Sequence, residues 1–370
     1  MSGLRWPRTL WNRLRRIDDR RPIPVRGLML FLLALAVGLS WLSWGILYDN
    51  RMYRRLLTTN QEYAGLTSRG VPNWLRNWLT EHDLVLFPQI GGLIAVGEDT
   101  DPELLNWIVR LPGCSHVSLY GSSITNENLR LLSEHSTLRR LWLIPSESDM
   151  LGQSGTLLEL DFGPLRRAKS LQALSISRVR ISEREIAQLA QLDALTDLRL
   201  YRVGITEGAI QRIHLLKHLR TLHLDPLDAS VRNVDNLKML PDTVEIHLTC
   251  VSPNDETLVR LASVKQLVKL AIEGGQATDV GIEAFARHSQ LERLDLERLD
   301  GITDTCCESL ASIPNLKFLL IDGAPIGDTG LDSLAGATGL KRLTLRHTRT
   351  TEQAVKRCRD QHPKLEIDWW

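Results

Sequence analysis

The stretch that decides the fold is LERLDLERLDGITDTCCESL (291–310), and the similar stretch LKFLLIDGAPIGDTGLDSL (316–334) follows it. Each begins with the phrase LxxLxL, in which x is any residue. The phrase alternates apolar and polar residues, which is typical of a short strand with one buried face. The rest of each stretch places apolar residues three apart, as in Leu331 and Leu334, and this spacing predicts a short helix against the strand. Each unit therefore encodes one strand and one helix.

The phrase recurs along the chain at a nearly constant period. Its central apolar position falls at residues 117, 141, 174, 198, 222, 246, 270, 294, 319, 343 and 365. One such unit cannot bury its own apolar face, but stacked units form a continuous core. Leucine supplies 68 of the 370 residues, whereas Phe and Tyr supply five each, and this fits a core of repeated aliphatic slots. The period predicts an α/β solenoid of about 11 units over residues 113–370.

These units, including LTDLRLYRVGITEGAIQRI (195–213), resemble the leucine-rich repeat family in its 24-residue helical form. The chain is similar in particular to bacterial single-pass membrane-anchored leucine-rich repeat proteins, whose last unit often closes with a strand such as HPKLEIDWW (362–370). The resemblance implies a curved solenoid with parallel strands on its concave face and helices on its convex face. It also implies protein–protein recognition as the usual role.

Three features depart from the repeat pattern. Thr243 replaces the first leucine of its unit, and Pro253 stands where Ile is usual. The second unit is nine residues too long, and the excess falls in IPSESDMLGQSGTLLEL (144–160). This excess predicts a loop on one rim of the solenoid, which is either a ligand contact or an insertion without function.

Residues 27–48, GLMLFLLALAVGLSWLSWGILY, contain no charged side chain over 22 residues. A helix of this length rises about 33 Å and would cross a hydrocarbon core of about 30 Å. The segment predicts a transmembrane helix, and a cleaved signal peptide ending near Ala36 is the alternative. Eight Arg precede the segment and three follow it closely. This excess predicts a cytoplasmic N-terminus and a repeat array exported to the periplasmic or extracellular side.

The segments around this helix complete the predicted organisation. Residues 1–26 form a basic cytoplasmic tail, which is either an interfacial helix or a disordered segment that only sets the topology. Residues 49–70 form a juxtamembrane linker helix. Residues 71–112 form an N-terminal capping segment, in which LIAV (93–96) and PELLNWIVRL (102–111) resemble one degenerate strand–helix unit. A separate small domain over 71–112 is the alternative.

Composition and motifs exclude several function classes. Lys plus Arg is 45 against 44 for Asp plus Glu, so the chain is not a basic nucleic-acid binder as a whole. It contains no phosphate-binding glycine loop, HExxH, GxSxG or calcium loop, and this predicts a protein that is not an enzyme and has no cofactor, metal or small-molecule substrate.

Five cysteines without a CxxC pair exclude a four-cysteine zinc site and a disulfide framework. Cys114, Cys307 and Cys358 occupy core slots of the repeat, whereas Cys250 is predicted to be exposed. The adjacent pair of Cys306 and Cys307 leaves a vicinal disulfide open as an alternative.

The side chains that point outward from each strand form the predicted concave surface, with neighbours in one column about 4.8 Å apart. The residue between the second and third leucine of each phrase forms one column, and the residue after the third leucine forms another. These columns predict a polarised binding surface that is aromatic and basic in the early units, including Arg178, and acidic in the later units. Solvated surface without a partner is the alternative. The candidate partner-binding residues are Tyr120, Arg140, Trp142, Arg199, Tyr201, Arg202, His223, His247, Glu273, Asp295, Glu297 and Asp322.

His223 and His247 stand in one column of adjacent units, so their rings could converge on a metal ion. Two histidines without a third ligand nearby are more often two surface residues.

The sequence therefore predicts a membrane-anchored leucine-rich repeat protein that binds another protein or an envelope polymer through its concave face. A structural or self-associating spacer of the cell envelope is one alternative. A non-catalytic subunit of an enzymatic or signalling assembly is the other.

Overall fold

The computed structural model describes residues 93–96, 102–110, 114–121, 124–144, 157–227, 234–242 and 244–370. The predicted basic tail, transmembrane helix and linker helix over 1–70 lie outside these residues, and so does most of the predicted cap. Within the described ranges, no helix is both long and apolar enough to cross a membrane.

Parallel strands form one sheet, and each strand pairs with the next one along the chain. The short strand β5 lies off this path and pairs with β6. The strands are β1 (Leu93–Val96), β2 (His116–Tyr120), β3 (Arg140–Ile144), β4 (Ala173–Ser177), β5 (Arg180–Ile181), β6 (Asp197–Ile205), β7 (Thr221–Pro226), β8 (Glu245–Val251), β9 (Leu267–Glu273), β10 (Arg293–Glu297), β11 (Phe318–Asp322), β12 (Arg342–Arg346) and β13 (Glu366–Trp369).

Short helices connect the strands. The α-helices are α1 (Pro102–Arg110), α2 (Asn126–Ser133), α3 (Glu183–Leu189), α4 (Glu207–Gln211), α5 (Asp255–Ala262), α6 (Asp279–Glu283), α7 (Thr305–Ala311), α8 (Asp328–Ala335) and α9 (Glu352–Gln361). In the part of the chain that the structure describes, three 3₁₀ helices cover Gly163–Arg167, Ile213–Leu215 and Val234–Met239. This alternation of parallel strands and short helices is a leucine-rich repeat solenoid, so the predicted α/β repeat fold is confirmed. A strand and a helix also occupy the region of the degenerate unit predicted over 93–111.

The core follows the two-residue period of the strands. In β10, the side chains of Leu294 and Leu296 are fully buried, whereas Arg293 and Glu297 point away from the core. Leu310 of the following helix is also fully buried. Each unit therefore closes its own layer of aliphatic side chains against the layers before and after it.

An aspartate ladder joins consecutive later units on the helix side of the sheet. In its first step, Asp255 accepts hydrogen bonds from the backbone N–H and the hydroxyl of Thr278 in the next unit, both at 2.7 Å. The first N–H groups of a helix have no intrahelical partner, so the carboxylate supplies an acceptor there. Its negative charge also interacts favourably with the positive end of the helix dipole. The remaining steps join Asp279 to Thr303, Asp304 to Gly327 and Asp328 to Thr351.

The register of the sheet shifts by two residues at β8. Towards β7, Ile246 lies opposite Leu222. Towards β9, Leu270 lies opposite Leu248 instead, and Cys250 fills the next core slot. Cys250 is only 4% exposed, so its predicted exposure is wrong, because the shift draws two further residues of β8 into the core pattern.

The turn after β9 packs closely against the end of β8. Gly275 has a φ of +106°, and a Cβ at this position would lie 2.5 Å from the carbonyl oxygen of Pro253. The backbone N–H of Gln276 donates a hydrogen bond to that same oxygen at 3.0 Å. The close approach requires glycine, and it lies directly beside the register shift.

The pairing of the last two strands and the state of the cysteines test two further sequence predictions. In the last unit Ile367 lies opposite Leu343, so the final step of the repeat is again 24 residues and the central position is Ile367 rather than Leu365. All five cysteines are free and buried, so Cys306 and Cys307 form no vicinal disulfide in this structure.

Candidate binding surface

The outward-facing side chains of paired strands form rows across the open face of the sheet, which is the face that carries no core leucines. Because the register shifts at β8, the row through the middle outward residue of β6 continues through the first outward residue of β9. The predicted columns, which place Ala271 beside His247, are therefore wrong at this step: His247 lies opposite Lys269. We call the resulting row the basic row, and it consists of Arg199, His223, His247, Lys269, Arg293, Phe318 and Arg342.

A second row in the later units is acidic, and we call it the acidic row: Glu273, Glu297 and Asp322, which lie opposite one another on β9, β10 and β11. The Arg298 guanidinium lies 3.4 Å from Glu273, and the His347 ring lies 2.8 Å from Asp322. Partial burial, together with the charges of Glu273, Asp295 and Asp322, raises the pKa of Glu297 above its usual value. The row continues on β12 with Arg346, which lies opposite Asp322, so its three carboxylates lie on β9, β10 and β11.

The side chains in the row between these two are small, apolar or buried. It consists of Ala271, Asp295, Leu320 and Thr344 on β9 to β12. Ala271 and Leu320 are half-buried, whereas Thr344 is 9% exposed. The long side chains on either side make this middle row the floor of the surface.

Asp295 is a buried part of this floor rather than an exposed contact residue. It is 6% exposed and accepts two hydrogen bonds from Nε of Arg293, at 3.0 and 2.9 Å. Nζ of Lys269 lies 3.8 Å from the same carboxylate. The prediction that Asp295 binds a partner directly conflicts with this burial, and its carboxylate instead positions two side chains of the basic row.

The two histidines of the basic row stack against each other. The ring centroids of His223 and His247 are 4.1 Å apart at an interplanar angle of 37°. Burial, followed by the charges of His247, Arg199 and Lys269, lowers the pKa of His223 to about 4. Burial and the charge of Lys269 also lower the pKa of His247, so both rings are neutral near pH 7.

A metal ion usually requires a third protein ligand beside such a pair. In the ranges that the structure describes, no group of three or more His, Cys, Asp or Glu side chains could hold one.

Aromatic and basic residues line the open face in the earlier units. The Trp142 ring is half-buried and meets the edge of His116 at a centroid distance of 4.6 Å and an angle of 82°. Arg140 is exposed beside this pair. Burial of the His116 ring, followed by the positive charge of Arg140, lowers the pKa of His116 to about 4. The Tyr201 ring lies 6.2 Å from that of His223. These residues form a continuous surface with the basic row.

The remaining early candidates differ in their exposure. Arg202 is exposed and follows the outward residue Tyr201 with a φ of +48°. Arg178 has a similar φ of +53° but is only 6% exposed, so its predicted place on the exposed surface is wrong. Its backbone N–H donates to the carbonyl oxygen of Tyr201 at 3.0 Å, which places it in the turn between two strands. Tyr120 ends β2 opposite Ile144, and its side chain lies outside the described part of the structure.

The charge of the later units is thus divided across the strands. The sequence predicts a basic early end and an acidic late end. The structure shows that the basic row continues through the later units beside the acidic row. The two rows are four residues apart along each strand, which corresponds to about 13 Å.

Comparison with known proteins adds one structural similarity. No protein-family model matches the chain, and no curated protein matches it. Among solved structures, an internalin from Listeria monocytogenes is similar, with 20% sequence identity over 73% of this chain and 70% of that chain and a TM-score of 0.39. The fold assignment rests on the repeat and the strand pairing of the chain itself.

Proposed function

We propose that this chain is a membrane-anchored leucine-rich repeat protein that binds a protein partner through the open face of its sheet, the predicted concave face. Residues 27–48 would form the anchor, with residues 1–26 in the cytoplasm and the repeat array exported. The uncharged segment and the excess of Arg before it support this arrangement. The observation that carries the binding role is the set of charged and aromatic rows on the open face.

The character of these rows favours binding through side chains that are already in place. Trp142 and Tyr201 are aromatic residues of the kind that anchor protein interfaces, and their strands hold them in fixed positions. A preordered surface loses little conformational entropy when a partner binds.

The charges favour a protein over an envelope polymer of uniform charge. A polyanion would be attracted to Lys269 and Arg293 but repelled by Glu297 and its neighbours in the acidic row. A protein surface carries both signs of charge and can satisfy both rows.

Site-specific photo-crosslinking in cells that produce the full chain tests the binding role. A photoreactive residue at Trp142, Thr249 or Leu320 on the open face should yield a discrete protein adduct. The matched control is Val259, which is 50% exposed on α5. The triple reversal E273K/E297K/D322K should abolish the adduct from Leu320 while the circular dichroism spectrum stays unchanged. Adducts from Val259 alone, or unchanged adducts in the triple variant, would contradict the proposal.

Protease accessibility tests the anchor and its orientation. A protease added outside should cleave residues 51–370 in cells whose outer envelope is permeabilised but whose cytoplasmic membrane is intact. The same residues should be protected in inverted vesicles of the cytoplasmic membrane. The opposite pattern would place the repeat array in the cytoplasm.

A further inference from the structure

The later units combine three chemically different rows on one face. The basic side holds Lys269, Arg293, Phe318 and Arg342, the floor holds Ala271, Asp295, Leu320 and Thr344, and the acidic side holds Glu273, Glu297 and Asp322. We call these residues the bipolar groove. On β9 and β10 a long cationic side chain flanks the small floor on one edge and a carboxylate flanks it on the other. On β11 Phe318 takes the place of the cation opposite Asp322, and on β12 Arg346 lies next to Asp322 at the end of the acidic edge.

Both edges are accessible to a partner. The side chains of Lys269, Arg293 and Arg342 are 37%, 44% and 52% exposed, and that of Glu273 is 39% exposed. Phe318 is 38% exposed within the basic edge, which adds an apolar contact there. The groove therefore offers apolar area between two sets of opposite charge.

The distance between the edges selects the shape of the partner. First and third outward residues of one strand are about 13 Å apart, because four residues rise about 3.3 Å each. An α-helix with its side chains is about 10–12 Å wide, whereas one extended strand occupies only about 4.8 Å. A helix along the rows can reach both edges at once, and a single strand cannot.

We propose that the bipolar groove binds an amphipathic α-helix of a protein partner, with acidic side chains along one edge of the helix and basic side chains along the other. The acidic edge meets Lys269 and Arg293, and the basic edge meets Glu297 and its neighbours. An apolar stripe between them packs on Leu320 and Ala271. The inference rests on the proposed function and specifies the chemistry of the partner.

The extent of the groove sets the length of this helix. The acidic row spans three strands and the basic row of the later units spans four, so the groove runs for about 10–15 Å. At about 1.5 Å per residue, two to three helical turns cover this distance. A helical segment of about 7–10 residues therefore spans the complete groove, and a helix of about 15 residues covers it with about one turn to spare.

Synthetic peptides of identical composition test the proposal. The bipolar peptide is a helix of about 15 residues with Glu along one edge, Lys along the other and a Leu/Ala stripe between them. The mixed peptide keeps the stripe but alternates Glu and Lys on both edges. Affinity for the purified full chain in detergent micelles is measured by fluorescence anisotropy, after circular dichroism has confirmed equal helicity. We expect the bipolar peptide to bind on the order of tenfold more tightly, since several exposed charge pairs change from matched to mismatched.

Charge reversal in the protein gives the complementary test. In E273K/E297K/D322K both edges of the groove are basic, so this variant should lose its preference for the bipolar peptide and should prefer a third peptide with Glu on both edges. The matched control E283K/E308K/D360K places the same charge change on exposed helix positions and should behave as the unchanged chain.

Every outcome of the peptide series decides the proposal. Equal affinity of the bipolar and mixed peptides, or binding of neither, would overturn it. Preference of the unchanged chain for the doubly acidic peptide would indicate a polyanion site instead. If open-face crosslinks to a protein persist while the bipolar peptide fails to bind, the proposed function stands and the helix inference falls.

Discussion

The earlier units (β2 to β8) and the later units (β9 to β13) hold their layers together by different means. In the later units the aspartate ladder ties each helix start to the unit before it. In the earlier units the clearest cap is internal: Ser182 and Glu185 form a capping box within α3. Contacts between neighbouring earlier units include exposed ion pairs, such as Arg212 with Glu183 at 3.7 Å. Exposed ion pairs contribute little, and side-chain hydrogen bonds also join some earlier units, such as the one from Nε2 of Gln188 to Asp161 at 2.6 Å. The aspartate ladder recurs at every step from β8 to β12, so the later units should be the more uniformly coupled part of the array.

The boundary between these two regions coincides with the register shift. The first aspartate of the ladder, Asp255, begins α5, which connects β8 to β9. The same step contains the close approach of Gly275 to Pro253. The regular later units therefore begin where the sheet has moved by two residues, and the boundary can be tested separately from either region.

The largest effect is expected at this boundary. Gly275→Ala should lower the apparent free energy of unfolding by about 3 kcal/mol or more, because the added Cβ meets backbone atoms and φ is +106°. The control Gly274→Ala has a φ of +63° and meets no atom closer than 4.0 Å, so it should cost only about 1 kcal/mol. Denaturation of the full chain followed by far-UV circular dichroism measures both. Equal losses would show that the close approach does not hold the boundary.

An intermediate effect is expected when one step of the ladder is removed. Asp279→Ala leaves the N–H and hydroxyl of Thr303 without their partner and should cost about 1–2 kcal/mol. Glu183→Ala in the earlier units removes only an exposed ion pair and should cost less than about 1 kcal/mol. Hydrogen exchange should show the loss of protection spreading from α7 into neighbouring units in the first variant alone. Matching losses in both variants would remove the distinction between the two regions.

The smallest effect concerns acid and should be confined to the earlier units. The pKa of His223 is lowered to about 4 in the folded chain, and that of His247 is also lowered. The unfolded chain therefore binds more protons below pH 6.5, and stability that is complete above pH 6.5 is lost as the pH falls towards about 4. Since both rings are partly solvated, the combined effect should be on the order of 1 kcal/mol.

The double variant H223Q/H247Q tests this prediction. Its melting temperature should fall less than that of the unchanged chain between pH 6.5 and pH 4. Hydrogen exchange should place the acid-induced loss around β7 and β8 rather than in the later units. An identical pH profile for the double variant and the unchanged chain would refute a role for the histidine pair.

Most of the fold could be predicted from the sequence because each unit repeats the same local instructions. The LxxLxL phrase predicts strand and core face directly, and buried leucines such as Leu294 and Leu296 confirm it. The helix starts are also visible in the sequence as variants of one pattern, such as ITE (205–207), ATD (277–279) and ITD (302–304). Their action between units is not visible, because the partner of Asp279 is Thr303, 24 residues away.

The candidate surface was less predictable, since a row depends on how neighbouring strands pair. The sequence period places His247 beside Ala271, but the pairing places it beside Lys269. Asp295 occupies an outward position of the pattern and yet is buried under Arg293. Such errors arise because exposure is decided by neighbouring side chains rather than by the position in the repeat.

The sequence alone determined the repeating strand–helix unit, the solenoid and the aliphatic core, since these follow from short-range periodicity and from the burial of one face of each unit. The uncharged segment over residues 27–48 also indicates a transmembrane helix, which remains a prediction. Only the tertiary structure decided the two-residue shift at β8, the burial of Cys250 and the division of charge across the later strands. The physical reason is that hydrogen bonding between strands sets the register, and a shift by two residues keeps the same side chains facing the core. The period therefore survives the shift, while every row on the open face changes its neighbours.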